Sequence, residues 1–381
     1  MPSIQECESL LASLVKTNTC QPEGNEAQAV RLVLGMIPKG LETHVLHDAP
    51  GRDSLVIRVP GLEKEGALAF LGHLDDVALG AAAWSVPPLD ALVRDGVMYG
   101  RGSCDMKGGD VAMILALRHL AATGRMPAHT VYFVFTSDEE RDGLGVRHVA
   151  RSGLLDHVTQ VIVCEPTSGR LARCEKGALW LHVIVRGKQS HGAYPEEGAN
   201  AIDYGYKLIA EARSLIDTAT RHPLLGQASL SPTGFSAGGA PNIVPGVADI
   251  LLDIRTLPGT DHAGLVAAIR AAADGIHRQN PLVAFDISAT NDRMAIETPP
   301  GDPLLEDLRD ICGKIGLSQE DSGVYFYTDA SLLMPSLPNA SCVLAGPGES
   351  TLMHTTDEHI ELQSVAQFTD LYTRFLDQRM A

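Results

Sequence analysis

Short, uninterrupted apolar runs alternate along the chain with stretches whose apolar residues recur at helical spacing. One run covers residues 67–71 and stops at Gly72-His73. A second, rich in β-branched and aromatic residues, covers 131–135 and stops at Thr136-Ser137-Asp138-Glu139-Glu140. A third covers 161–164 and stops at Glu165-Pro166. Between the first two, residues 111–122 repeat apolar positions at helical spacing after the Gly108-Gly109 breaker. A strand that is apolar at every position has no face for water. Such strands, separated by helices, predict an α/β fold with a mixed, mostly parallel sheet and helices on both faces.

The texture changes near residue 177. Residues 179–185 alternate as a half-exposed strand does, 201–216 read as an amphipathic helix, 248–255 as a strand and 263–276 as a helix. The polar stretch 291–303, which contains prolines, reads as a return crossing. The expected organisation is a domain of residues 1–176 and 292–381 interrupted by a smaller α+β domain of residues 177–291.

The chemistry gathers where the apolar runs stop. His73-Leu74-Asp75, Asp138-Glu139-Glu140 and Glu165 each follow or end a strand, and ligands in open α/β sheets bind where the carboxyl ends of strands converge. A glycine-rich segment, 99–109, sets Asp105 just before a helix. His354 follows Gly346-Pro347-Gly348 in a loop with Asp357 and Glu358. Two histidines with several carboxylates form a mixed nitrogen and oxygen donor set that suits Zn²⁺, Mn²⁺ or Co²⁺ better than Ca²⁺. Four carboxylates crowded at one sheet edge repel each other unless cations neutralise them, which argues for one metal ion or a pair.

Composition narrows the function classes. Thirty Lys+Arg against 47 Asp+Glu give a net charge of −17, which repels phosphate backbones and argues against nucleic acid as a partner. The apolar runs fall far short of the ~20 residues of a membrane span, so no membrane partner is expected. The first residues carry neither the basic region nor the apolar core of a signal peptide, so a cytoplasmic location is expected. The seven cysteines are scattered and form no C-x-x-C, against both a disulfide framework and a cysteine-rich zinc site. No Gly-x-Ser-x-Gly elbow stands at a strand end, and no Gly-x-Gly-x-x-Gly follows the first strand, which disfavours a serine hydrolase and a dinucleotide enzyme.

The motifs taken together carry a resemblance. Gly72-His73-Leu74-Asp75 with Trp84 and Pro87-Pro88, Gly100–Gly109, Asp138-Glu139-Glu140, Cys164-Glu165-Pro166-Thr167, Ser190-His191-Gly192-Ala193-Tyr194-Pro195, Gly238-Gly239-Ala240-Pro241-Asn242-Ile243-Val244-Pro245, Asp253-Ile254-Arg255, Thr328-Asp329-Ala330 and the segment from Gly346 to His354 follow in order. Over nearly the whole chain they resemble the di-zinc metallopeptidase and amidohydrolase family of acetylornithine deacetylase, succinyl-diaminopimelate desuccinylase, aminoacylase and glutamate-releasing carboxypeptidase. The resemblance implies a catalytic domain that binds two Zn²⁺ per subunit, with Co²⁺ or Mn²⁺ as substitutes, and a smaller domain that dimerises. It implies ligand roles for His73, Asp105, Glu140, Glu165 and His354, with Asp105 bridging. Glu139 is then the general base for a water held between the ions, and Asp75 accepts from His73 to set its tautomer. His191, reaching an active site across a homodimer, polarises the scissile carbonyl. Arg255 and Asn242 hold the carboxylate of a small amide substrate, for which the planar guanidinium is well shaped.

The implied reaction is hydrolysis of a C–N amide bond, foremost deacylation of an N-acyl amino acid as in acetylornithine deacetylase. A dipeptidase or glutamate-type carboxypeptidase with the same metals is the alternative, and a non-catalytic binding protein of this fold a remote one. Three departures stand out: Asp76 where an apolar residue is common, Ala78 where proline is frequent, and Glu175-Lys176-Gly177-Ala178 where desuccinylases carry Arg-Gly-Ser. The last disfavours a succinylated substrate.

Overall fold

The computed structural model describes residues 2–381. The chain divides into two compact units. The first comprises the chain up to Cys174, Glu297–Val324 and Thr328–Ala381, and the second Glu175–Ile296 with the short strap Tyr325–Tyr327.

The first unit is organised around a nine-stranded sheet. Its centre is four parallel strands in the order His129–Thr136, Glu63–His73, Val158–Pro166 and Ser341–Gly346. Antiparallel strands flank this centre, Arg52–Val59 and Glu42–Ala49 on one side and Leu171–Glu175 on the other. The sheet is therefore mixed and mostly parallel. Every residue of 67–73 and 130–136 is buried, so both faces of the central strands are covered. The helix Gly108–Ala122 is buried from Gly108 through Leu117 and packs against the C-terminal helix Leu362–Asp377. Because the central strands run parallel, their carboxyl ends lie along one sheet edge, and that direction gathers His73, Glu165 and the loops after Thr136 and Gly346.

The second unit is a four-stranded antiparallel sheet in the order Ser229–Ala237, Val247–Thr256, Gly177–Arg186 and Ala284–Arg293. Leu179, Leu181, Val183 and Val185 point to one face and form a core with the helices Ala201–Ser214 and His262–Gln279. Two of these strands escape the sequence pattern. Ser229–Ala237 holds a proline and a glycine; it is an edge strand, and its register shifts between Pro232 and Gly234, where a missing N–H is tolerated. Ala284–Arg293 ends in the polar stretch read above as a crossing, and it too is an edge strand whose register shifts, between Ala289 and Asn291. All seven cysteines are free and buried. Among the described residues no helix is long and apolar enough to cross a membrane.

Candidate metal centre

Asp105 stands at the middle of the site. Its Oδ1 lies 3.2 Å from His73 Nε2 and its Oδ2 lies 3.1 Å from His354 Nε2. A second carboxylate completes each side. Glu165 Oε1 is 3.4 Å from His73 Nε2, and Glu140 Oε1 is 3.0 Å from His354 Nε2. The five residues thus form two imidazole–carboxylate groups that share Asp105. His73, Asp105 and Glu140 each offer a ligand atom, and these atoms lie within 4.8 Å of one another.

The local backbone explains the placement. His73 ends its strand, and Glu165 is the second-last residue of another. Asp138 takes φ 63°, a left-handed conformation that Asp tolerates, and its Oδ2 accepts from the N–H of Asp142 and Leu144 to fold the loop carrying Glu139 and Glu140. His354 also has positive φ, 61°. Asp105 is held from the far end of the chain. Buried Glu358 accepts from the main-chain N–H of Cys104 at 2.9 Å and of Asp105 at 3.0 Å, and from Arg101 Nη1 at 2.5 Å. Gly348, at φ 102°, has no room for a side chain, because a Cβ there would stand 2.6 Å from Cys104 Sγ.

The electrostatics fit cations. Without one, burial and then the Asp105 charge push Glu140 up to about 8 and Glu165 up to about 7. Burial alone would lower His354, but Asp105 and Glu140 overcome it and push the imidazole up to about 11. Asp105 itself is held below the usual carboxylate range, the hydrogen bonds from His354 and His73 outweighing its burial. Glu165 Oε2 is buried without a hydrogen-bond partner. Protons borrowed by crowded carboxylates, together with an orphaned carboxylate oxygen, are what a site built for divalent metal shows when only protein groups are counted. The donor set of two imidazoles and three carboxylates therefore fits a metal centre.

Asp75 differs from the expectation. His73 Nδ1 contacts the main-chain carbonyl of Asp75 at 3.0 Å, while the Asp75 carboxylate lies 3.6 Å away. That carboxylate is occupied elsewhere: Oδ1 accepts from Glu139 N at 2.9 Å, and Oδ2 from Glu140 N at 3.2 Å and Gln21 Nε2 at 2.8 Å. Asp75 thus fixes the main chain of Glu139 and Glu140, and the ring of His73 is oriented by the carbonyl two residues on. Glu139 is buried beside them.

A buried support behind this loop has no local signature in the sequence. Arg52 Nη1 donates to Glu26 at 2.9 Å and Asp138 at 2.8 Å, and Nη2 to Gln21 Oε1 and the Pro22 carbonyl, both at 2.7 Å. Its partners lie up to 86 residues away along the chain. Asp76, the departure noted above, is matched by another departure from plain apolar packing. Lys107 Nζ meets its Oδ2 at 2.5 Å, and both side chains are fully buried. Gly102 abuts the pair, since a Cβ there would fall 1.9 Å from Asp76 Oδ1. Trp84 packs under Arg101, 5.1 Å from its guanidinium, with its indole N–H on the Leu79 carbonyl.

The other candidates belong to the second unit. His191 is exposed and lies on a two-residue strand paired with Ile243–Val244. The main-chain carbonyl of Asn242 accepts from Gly192 at 2.7 Å, so the structure joins Asn242 to the His191 turn. Arg255 pairs with Asp253 on its own strand, at 2.9 Å through Nε and 3.1 Å through Nη2.

Comparison with known proteins gives the same picture. The sequence profile described as Peptidase family M20/M25/M40 matches residues 69–378. The succinyl-diaminopimelate desuccinylase of Xanthomonas oryzae is 33% identical over 324 residues, 82% of this chain and 83% of that protein. The fold is shared with the aminopeptidase PepT of Bacillus cereus (TM-score 0.81, 19% identity, 99% of this chain and 98% of that one). It is also shared with the Bacillus subtilis YXEP protein, described as a dinuclear metal-binding peptidase (TM-score 0.73, 14% identity, 98% of each chain).

Proposed function

Since the chain belongs to Peptidase family M20/M25/M40 and is a metal-dependent hydrolase of amide bonds, we propose that it deacylates an N-acyl amino acid. The observation that carries the reading is Asp105 shared between two imidazole–carboxylate groups, His73–Glu165 and His354–Glu140. These five residues would hold two ions, with Zn²⁺ favoured by the donor set and Co²⁺ or Mn²⁺ as substitutes. When bound, such ions lower the pKa of water and polarise an amide carbonyl.

The protein's own groups supply the rest. Glu139, held through its main chain by Asp75, takes the proton of the attacking water and returns it to the leaving amine. His191 donates to the oxygen that becomes negative in the transition state. Arg255 and Asn242 hold the substrate carboxylate. Arg255→Ala should raise KM for carboxylate-bearing substrates by about tenfold or more and leave carboxylate-free amides unchanged, as expected for the loss of a charge-assisted hydrogen bond.

The desuccinylase relatives weigh against acetyl as the preferred acyl group, despite the missing Arg-Gly-Ser stretch. Lys176 supports an acyl group with its own carboxylate, because it is buried and makes no ion pair among the described residues. A homodimer fits the second unit, whose edge strand Ser229–Ala237 is half-exposed and presents Phe235 against exposed Tyr206, rings 5.2 Å apart. The deciding experiment is a panel of N-acetyl and N-succinyl amino acids against dipeptides. Turnover of the acyl amino acids supports the reading, and turnover of dipeptides alone replaces it with a dipeptidase.

A further inference from the structure

One irregular segment meets three of the loops that build the metal centre. Residues 17–22 follow the N-terminal helix Ile4–Val15 and belong to no helix or extended strand. Thr17, Thr19 and Cys20 are buried all the same. Backbone without regular structure must find hydrogen-bond partners wherever it is buried. Here they are the loops after His73 and Asp105. Asp76 N donates to the Thr19 carbonyl at 3.1 Å, and Gln21 N to the Asp76 carbonyl at 2.8 Å. Thr19 Oγ1 donates to Asp76 Oδ2 at 2.9 Å. Lys107, two residues beyond Asp105, donates to the same oxygen and to the Thr17 carbonyl at 3.2 Å.

Gln21 carries the segment to the third loop. Its Nε2 donates to Asp75 Oδ2 at 2.8 Å and lies 3.4 Å from Asp138 Oδ1, while its Oε1 accepts from Arg52 Nη2 at 2.7 Å. A carboxamide offers donors on one atom and an acceptor on another, and this position uses both. Two carboxylates face the nitrogen and a guanidinium faces the oxygen. Asp75 in turn holds the main-chain N–H of Glu139 at 2.9 Å and of Glu140 at 3.2 Å. An unbroken chain of hydrogen bonds thus runs from Arg52 through Gln21 and Asp75 to Glu139.

We propose that Gln21 is a positioning residue for catalysis: it fixes the Asp75 carboxylate and, through it, the main chain of Glu139, while the rest of the segment ties that loop to the one carrying Asp105. The proposal rests on Glu139 as the proton-transfer group assigned above. Gln21 acts through Asp75 and touches no reacting atom, so its loss changes the geometry of proton transfer and leaves substrate binding alone. Misplacing a reacting group by about 1 Å costs up to about 100-fold in rate.

Three arms test this with metal-loaded protein and the N-acyl amino acid it turns over fastest. Gln21→Leu should lower kcat about tenfold, with KM and metal content nearly unchanged. Gln21→Glu adds a pH readout that a merely structural role does not move. Ionised, the new carboxylate opposes Asp75 and Asp138, and Arg52 already serves Glu26 and Asp138. Protonated, its O–H donates to Asp75 and its carbonyl accepts from Arg52, as the amide does. The ratio of its kcat to that of the wild type should therefore rise several-fold as the pH falls from about 8 to about 5.5. In an Asp75→Asn background, Gln21→Leu should cost nothing further, because its route to Glu139 is already cut. Normal kcat or lost metal in Gln21→Leu, a Gln21→Glu ratio flat with pH, or additive losses in the double variant overturns the proposal. If Gln21→Leu does not fold, the Gln21→Glu ratio, read on one preparation across pH, still decides. Normal kcat in Gln21→Leu beside an inactive Glu139→Gln removes the positioning role alone. Normal kcat in Glu139→Gln removes the base, and the positioning role with it.

Discussion

Glu139→Gln should retain the metal content of the wild type and lose about two to four orders of magnitude in kcat, the range over which positioned proton transfer acts. The substitution keeps the size of the side chain and its main-chain hydrogen bond to Asp75, so the loop that also carries Glu140 stays in place. What disappears is a carboxylate able to take a proton from water and return it to the amine. Stopped or steady-state turnover with metal analysis on the same sample checks this. A variant with normal kcat removes Glu139 from proton transfer. A variant that has lost its metal reassigns Glu139 to the ligand set.

Asp105→Asn should have the other large effect, and of a different kind. Each oxygen of Asp105 faces a different imidazole, and the carboxylate is the one group common to both halves of the site. An amide presents one oxygen and one NH₂ and carries no charge, so one half of the site meets a donor where it needs an acceptor. Metal retention should weaken by about 100-fold or more, above the 10–100-fold that loss of a supporting residue costs, and turnover should fall with it. Dialysis against a metal buffer followed by elemental analysis separates this from Glu139→Gln, in which only turnover falls. Full metal content and normal turnover in Asp105→Asn would remove Asp105 from the shared position.

The difference between what the sequence displayed and what it hid follows from the range of the interactions. The three strand-end motifs are local: an apolar run must end where the sheet ends, so His73, Glu165 and the loop after Thr136 can be placed on one edge from the runs alone. Asp105 and His354 stand out locally, one in a glycine-rich loop and the other after Gly346-Pro347-Gly348, but their meeting is implied only by the family resemblance, because nothing in their own neighbourhoods says that residues 249 positions apart will meet. Asp75 lies close to the His73 ring, with its carboxylate 3.6 Å from Nδ1, but its hydrogen bonds run elsewhere. Its spacing from His73 suits a carboxylate–imidazole contact, but the folded loop turns the carbonyl to the ring and the carboxylate to the N–H groups of Glu139 and Glu140. The Arg52 support and the Asp76–Lys107 pair are assembled from distant segments, and a lone buried charge has no pattern to betray it. In the second unit the strands Ser229–Ala237 and Ala284–Arg293 lie at the sheet edges, where irregular register and polar residues are tolerated and the alternating signature fades. That Arg255 and Arg293 both stand opposite Ala178 is a fact of register, and register does not exist until strands pair.

The measurement closest to the central claim is elemental analysis of the purified protein joined to chelation and reconstitution, with hydrolysis of an N-acyl amino acid as the readout. Two equivalents of a zinc-like metal per chain are expected, with activity abolished as the metal is stripped and restored by Zn²⁺, Co²⁺ or Mn²⁺. A protein that hydrolyses the same amide at full rate after its metal has been removed would contradict the account.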